Sequence, residues 1–471
     1  NNYHGDGDGD GDGNEDYDEH DKKEDKARGG AAKVPLRGLL KAVVADSTIF
    51  HFPLFGSYFM PYYGSVDLAN EKRSFIEVAV LFFHGAARNA KDYFCTMKTL
   101  VEQYTAENQT AIEKYAILAP KYHYKIDFGK NSSHIDFDLW WNGSKPFGDW
   151  RSGAAADEDS SPKYNSFEVL DEILLQLSDP FKFPNLRRIV LAGHSAGGVV
   201  VQRYALVSHL RPPDLATDET LKEMKSVRHG IEVRYVIANP STFGYLDNNR
   251  WNYDWDPINS EWTEMEYKEY KPELGRRNWD ADSGPSRRRH TGLRAEYRPW
   301  GPLSPALEPR SEQHPFICKT FKFGDWPFGM NWTEQEFGNL VPYVLQHPHL
   351  HRATEFYSNR HVVYLTGQND TCTDDMLGKD TFGNAICSAS CWTRGKKKQC
   401  ARTLMDVRCP AMLEGPNRHQ RAHNYMKHLE HFFGKKVHTL LQVDGVGHDA
   451  MGMYKSTVGM DALFADDIPS Q

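Results

Sequence analysis

The chain has 471 residues, 39 % of them hydrophobic and 25 % charged, which is enough apolar material for a sizeable core. Its formal charge of -8 is concentrated at one end, since residues 1–30 carry eleven acidic against four basic side chains and the remainder is nearly neutral. That balance excludes a partner whose phosphates need a broad basic surface, and no run of 18 apolar residues marks a membrane span.

Residues 1–32 open on alternating Gly and Asp from Gly5 to Gly13 and read as a disordered acidic tail, because they cannot bury enough apolar surface to offset ordering entropy. The repeat lacks the nonapeptide of calcium-binding β-rolls. Residues 33–240 form the first part of a core. The loose aromatic alternation from Ser47 to Asp67, broken by Pro53, Gly56 and Pro61, predicts an antiparallel hairpin. Ile76–Phe83 is a continuous apolar run, predicted as a buried parallel strand that ends in His84-Gly85-Ala86-Ala87-Arg88-Asn89 before a helix through Tyr93, Met97 and Leu100.

Further strands are predicted at Tyr115–Ala119, Arg187–Ala192, Ile231–Ala238, Val362–Thr366 and Val437–Val443. Helical patterns separate most of them, including Phe167–Leu177, which opens with Asn165 and Glu168 at capping-box spacing. Alternation of this kind predicts a doubly wound, mostly parallel α/β sheet. Residues 241–360 break the alternation and predict a lid or cap-like insertion after the sixth strand, with 280–310 as a surface loop rich in Arg and Pro. Its tryptophans, Trp251, Trp255, Trp262, Trp326 and Trp332, either roof a site or form the insertion's own core.

Residues 361–471 return to the core and carry a Cys-rich loop, 372–409, with Cys372, Cys387, Cys391, Cys400 and Cys409. In an exported chain this density reads as disulfide stapling, and no Cys-x-x-Cys pair favours zinc. An odd total of seven cysteines, with Cys95 and Cys318 apart from the cluster, leaves at least one thiol outside an internal pair. Sequons at Asn108, Asn131, Asn142, Asn331 and Asn369, with a start at Asn1, predict a secreted glycoprotein from which a signal peptide has been removed.

The most informative stretch is Arg187 to Gly198, where an apolar strand runs through Gly193-His194-Ser195-Ala196-Gly197 into Val199, Val200 and Val201. A serine at the tip of a strand-to-helix turn needs small residues two before and two after it, because strand and helix pass close together. A serine hydroxyl is a weak nucleophile at neutral pH, so Ser195 requires a base and an acid that orients that base. His448 sits in a glycine-flexed loop after the last strand, and Asp370 sits just past the strand before it, with Asp374 and Asp375 as competing carboxylates. Asp370 is also the middle residue of the sequon at Asn369, so a glycan there and a catalytic Asp370 exclude one another. The amides of Ala196 and Ala86 are the candidate oxyanion donors, and His84 is expected to be a structural hydrogen-bonding residue.

With these residues in place the chain, from roughly Phe52 to Phe464, resembles the α/β-hydrolase fold serine hydrolases. It is most similar to a secreted, poorly characterised esterase- or lipase-like branch. The likeness lies in His84 to Ala90, in Gly193 to Gly198 leading to Gln202-Arg203-Tyr204, in Ala238-Asn239-Pro240-Ser241, in Gly415-Pro416-Asn417-Arg418 and in Gly445-Val446-Gly447-His448-Asp449. The resemblance implies cofactor-free hydrolysis of a small-molecule or lipid-like ester. A peptidase, amidase or acyltransferase shares the same chemistry, and a catalytically silent binding module shares the same fold.

Overall fold

The computed structural model describes residues 48–269, 326–330, 342–371, 406 and 411–468, apart from short loop stretches inside these spans. The acidic tail, the 280–310 loop, Trp332, Cys318 and the five cysteines of the Cys-rich loop lie outside the described residues, as do Asp374, Asp375 and the sequons at Asn131, Asn142 and Asn331.

Eight strands form one sheet: β1 (Thr48–Pro53), β2 (Phe59–Gly64), β3 (Val78–Phe83), β4 (Tyr115–Pro120), β5 (Arg188–His194), β6 (Glu232–Ala238), β7 (His361–Gly367) and β8 (Thr439–Val443). Their spatial order is β1-β2-β4-β3-β5-β6-β7-β8. β1 pairs antiparallel with β2, and β2 with β4, while every pair from β4 onward is parallel. The expected opening hairpin and parallel core are both present.

The helices that cover the faces include α1 (Ala90–Glu107), α2 (Ser166–Leu177), α3 (Ala196–Val207), α4 (Arg418–Phe433), α5 (Ala450–Lys455) and α6 (Thr457–Phe464). Side chains alternate across a strand, so one sheet feeds two cores. Ile189 and Leu191 of β5 pack with Leu170, Ile173, Val200 and Leu429 from α2, α3 and α4. Val190 and Ala192 pack with Phe94, Leu100, Met453 and Leu463 from α1, α5 and α6. Because both faces are covered, all seven residues of β5 are buried, which explains its unbroken apolar run. The capping box at α2 is formed as expected, with the Asn165 side chain accepting from Glu168 N at 2.8 Å and Glu168 accepting from Asn165 N at 3.1 Å.

The 241–360 segment begins inside the main body. Phe243 and Tyr245 are buried, and Tyr245 N donates to Phe328 O at 3.0 Å. Trp326 is 1 % exposed in the core beside α2 and α3, and its indole N–H donates to Ser152 O at 2.8 Å. It is an anchor for the returning chain and not a roof, because an indole buried this deeply needs an acceptor for its N–H and finds one on the body. Asn249–Asp256 and Glu261–Glu269 form a separate antiparallel hairpin. Among the described residues Cys95 is a free, buried thiol, and no helix is long and apolar enough to cross a membrane.

Candidate active site

The C-terminal ends of β3, β5, β6, β7 and β8 lie on one edge of the sheet, the usual place for a site in a parallel α/β fold. Ser195 follows β5 and has φ 59° and ψ -120°, a conformation strained for a residue with a Cβ. The strain is held from two sides. Ser195 N donates to Ala238 O at 3.0 Å, and Ser195 O accepts from Val199 N at 3.1 Å as α3 begins.

The flanking glycines are required by space. A Cβ on Gly193 would stand 2.3 Å from Gly197 O, and one on Gly197 would stand 2.2 Å from Phe83 O. Both obstacles are backbone and cannot swing away. Ala196 is the first residue of α3, so its N–H belongs to the turn that lacks intrahelical acceptors.

Ala86 lies in the loop after β3, close to Ser195: a Cβ on the preceding Gly85 would stand 3.8 Å from Ser195 Cβ. The peptide joining Gly85 to Ala86 is clamped at its oxygen, which takes hydrogen bonds from Arg88 N at 3.1 Å and from His84 Nδ1 at 2.9 Å. Since the peptide is trans, fixing that oxygen also fixes the opposed direction of the Ala86 N–H. His84 Nε2 accepts from Tyr122 N at 3.1 Å, so His84 is a neutral tautomer carrying its proton on Nδ1. Burial lowers its pKa to about 4, which keeps that arrangement intact across the physiological range. The structural role expected of His84 is what the geometry provides.

Arg88 braces the same loop. It grips Asp127 through Nε and Nη2 at 2.8 and 3.1 Å, and its Nη1 donates to Ala86 O at 3.0 Å.

His448 and Asp370 meet. His448 Nδ1 donates to Asp370 Oδ2 at 2.7 Å, which leaves Nε2 as the basic nitrogen of a fixed tautomer. The His448 ring lies 4.5 Å from that of His194, the residue before Ser195, so the loop after β8 reaches the elbow. Burial lowers the His448 pKa, and the Arg418 guanidinium lowers it further against the opposing pull of Asp370. For Asp370 burial pushes upward, but His448 and Arg418 prevail and bring it down to about 2. The carboxylate therefore stays ionised beside the imidazole.

Three residues that composition and spacing do not single out complete the surroundings. Arg418, at the start of α4, places Nη1 3.6 Å from Asp370 Oδ1. Asn239, with φ 43°, donates through Nδ2 to Gly447 O at 3.1 Å and accepts from Gly367 N at 2.9 Å, tying the β6 end to the loops that carry Asp370 and His448. His194 is 4 % exposed, with its pKa held well below the usual value by burial and then by His448. The signal available in sequence was the motifs around Asn239 and Arg418, whose purpose no local pattern explains.

No family model and no curated protein matches the chain. Solved structures similar to it include poly(aspartic acid) hydrolase-1 from Sphingomonas sp. KT-1, at 14 % identity and a TM-score of 0.43, covering 87 % of this chain and 96 % of that one. LpqC, a poly(3-hydroxybutyrate) depolymerase from Bordetella parapertussis, aligns at 13 % identity and a TM-score of 0.42 over 90 % and 92 % of the two chains. The siderophore hydrolase EstB from Aspergillus nidulans aligns at 10 % identity and a TM-score of 0.35 over 94 % and 99 %. These likenesses are too distant to carry an activity. By its own strand order, its antiparallel second strand and the strand-to-helix elbow at Ser195, the chain has the α/β-hydrolase fold.

Proposed function

We propose that the protein is a serine hydrolase that cleaves carboxylic esters through an acyl-enzyme. The observation that carries this reading is the 2.7 Å hydrogen bond from His448 Nδ1 to a buried Asp370, set against the strained elbow of Ser195. In the proposed cycle Ser195 attacks the acyl carbon while His448 takes the hydroxyl proton at Nε2. Asp370 holds the imidazole's tautomer and offsets its positive charge. The amides of Ala86 and Ala196 stabilise the oxyanion. His448 returns the proton to the leaving alcohol, and water then releases the acid. None of these steps calls on a cofactor.

A small-molecule or lipid-like ester is the proposed substrate, and export of the chain belongs to the same proposal, resting on the sequons and the cysteine-dense segment. We take the sequon at Asn369 to be unused. Its backbone N–H is bonded to Val446 O at 2.8 Å, immediately beside the buried Asp370.

The test is covalent labelling by a fluorophosphonate, which reacts with an activated serine, alongside hydrolysis of p-nitrophenyl esters of rising acyl length. The wild-type chain should label and turn over, and Ser195→Ala should do neither while keeping its melting curve. A loss of about 10⁴-fold or more is expected. Equal labelling of both proteins would reject Ser195 as the nucleophile.

A further inference from the structure

A cavity of about 650 Å³ lies at the edge of the sheet opposite Ser195, where β6 and β7 begin. Glu232 and His361 open those strands and line it, whereas Ser195 sits beyond the register pair His194 and Ala238 at the other end. Six residues of parallel strand separate Glu232 from Ala238, roughly 20 Å, so this is not the pocket of the proposed reaction.

Its wall has two chemical characters. Leu210, Val227, Val233 and Val437 give it apolar walls, and Arg211 also lines it. The backbone of Arg211 is pinned by its N–H to Lys225 O at 2.9 Å. Its guanidinium has no side-chain hydrogen bond or ion pair among the described residues; the side chain is half-buried, and its Nε, though not its two terminal nitrogens, is cut off from solvent. Burying a polar donor without an acceptor is costly, and such orphans are rare in a settled structure. None of the described lining residues answers it.

Glu232, the one carboxylate among the described lining residues, is already engaged by Arg188, Arg234 and His361. The neighbouring Arg360 spends its donors on the carbonyls that end α3, reaching Ser208 O and Leu210 O at 2.9 Å each and Ala205 O besides. Among the described residues, one cationic side chain without a partner therefore lines a half-open space with apolar walls and no free carboxylate.

We propose that this cavity is a second binding site, for a small amphipathic monocarboxylate whose carboxylate pairs with Arg211 and whose hydrocarbon part lies against Leu210, Val227, Val233 and Val437. A planar guanidinium matches a carboxylate through two parallel hydrogen bonds. A single unpaired cation balances one negative charge, which favours a monocarboxylate over inorganic phosphate. The volume lies in the range that holds small organic ligands.

The experiment titrates the full chain with octanoate by calorimetry and compares wild type with Arg211→Gln and Arg211→Lys, using octan-1-ol and inorganic phosphate as the other ligands. Octanoate held at Ser195 as a product analogue would be common to all three proteins and drops out of the comparison. The expected result is an octanoate site in wild type that weakens at least about tenfold in Arg211→Gln and is partly restored in Arg211→Lys, with octan-1-ol and phosphate at least tenfold weaker at that site. Identical octanoate isotherms for wild type and Arg211→Gln would overturn the proposal, and so would octan-1-ol or phosphate binding as tightly as octanoate. Should Arg211→Gln fail to fold, a photoreactive diazirine octanoate on the wild-type chain decides instead. Labelling around Val227 and Val437 supports the site, and its absence there rejects it.

Discussion

Arg418 and Asp370 form an ion pair closed off from water on both sides: guanidinium and carboxylate stand 3.6 Å apart with side-chain exposures of 1 % and 2 %. The carboxylate that holds His448 is thus shared with a fixed cation, and a buried charge of that kind acts on a neighbouring imidazole with little screening.

The first consequence is a pH profile. Burial and Arg418 both lower the His448 pKa, so kcat/KM for a simple ester should rise with pH through a midpoint below 6.5 and then level off as the neutral imidazole fills. Arg418→Gln removes one of the two lowering causes, and the midpoint should move to higher pH. Removing one partner of a buried pair also costs about 3–5 kcal/mol, so the readout is the midpoint measured on folded protein and not the rate. A midpoint that stays put or moves to lower pH would show that Arg418 does not act on His448.

Asp370→Asn keeps the shape of the side chain and loses its charge. Turnover should fall about 10⁴-fold, as expected when an imidazole loses the group that orients it and stabilises its charged form. Asp449 is one residue from His448, yet its Oδ1 accepts from Met451 N at 3.2 Å as the cap of α5. Asp449→Ala should therefore cost about 1 kcal/mol of stability and less than tenfold in rate. Steady-state kinetics and melting curves of the two variants distinguish the roles, and the reverse pattern would refute this choice of acid.

The elbow can be tested through its glycines. A methyl on Gly197 meets the backbone of Phe83 and His84 at 2.2 to 2.8 Å, so Gly197→Ala should destabilise by about 3 kcal/mol or more, if it folds at all. Gly434 ends α4 at φ 66° with open space around it, and Gly434→Ala should cost only about 1 kcal/mol from backbone strain. Denaturant melts giving similar costs would mean that crowding at the elbow is not what requires glycine.

Asp171 offers a stability test away from the site. Its carboxylate accepts from Tyr204 Oη at 2.6 Å and Tyr343 Oη at 2.8 Å, and burial nonetheless raises its pKa to about 7. The folded form then binds a proton more tightly than the unfolded form, so stability is lost as pH rises from about 4 to about 7. Asp171→Asn cannot ionise. Wild type should lose stability relative to this variant across that window, by about 4 kcal/mol at most. A constant difference between their unfolding free energies from pH 4 to pH 8 would refute the shift.

The amino-acid order alone specifies the part of the protein governed by local rules. The apolar runs of β3 and β5, the glycines around Ser195, the capping box at Asn165 and the loop positions of Asp370 and His448 follow from periodicity, turn chemistry and chain order. These features depend on neighbours within a few residues, so they were legible without coordinates. The roles of the remaining polar residues emerge from the folded arrangement. Arg418 meets Asp370 across 48 positions, Asn239 reaches Gly447 across 208, and Trp326 bonds to Ser152 across 174. Each is a buried polar group whose partner is set by how the sheet edge and its covering helices pack. Burial makes such a partner necessary, but no local pattern names it.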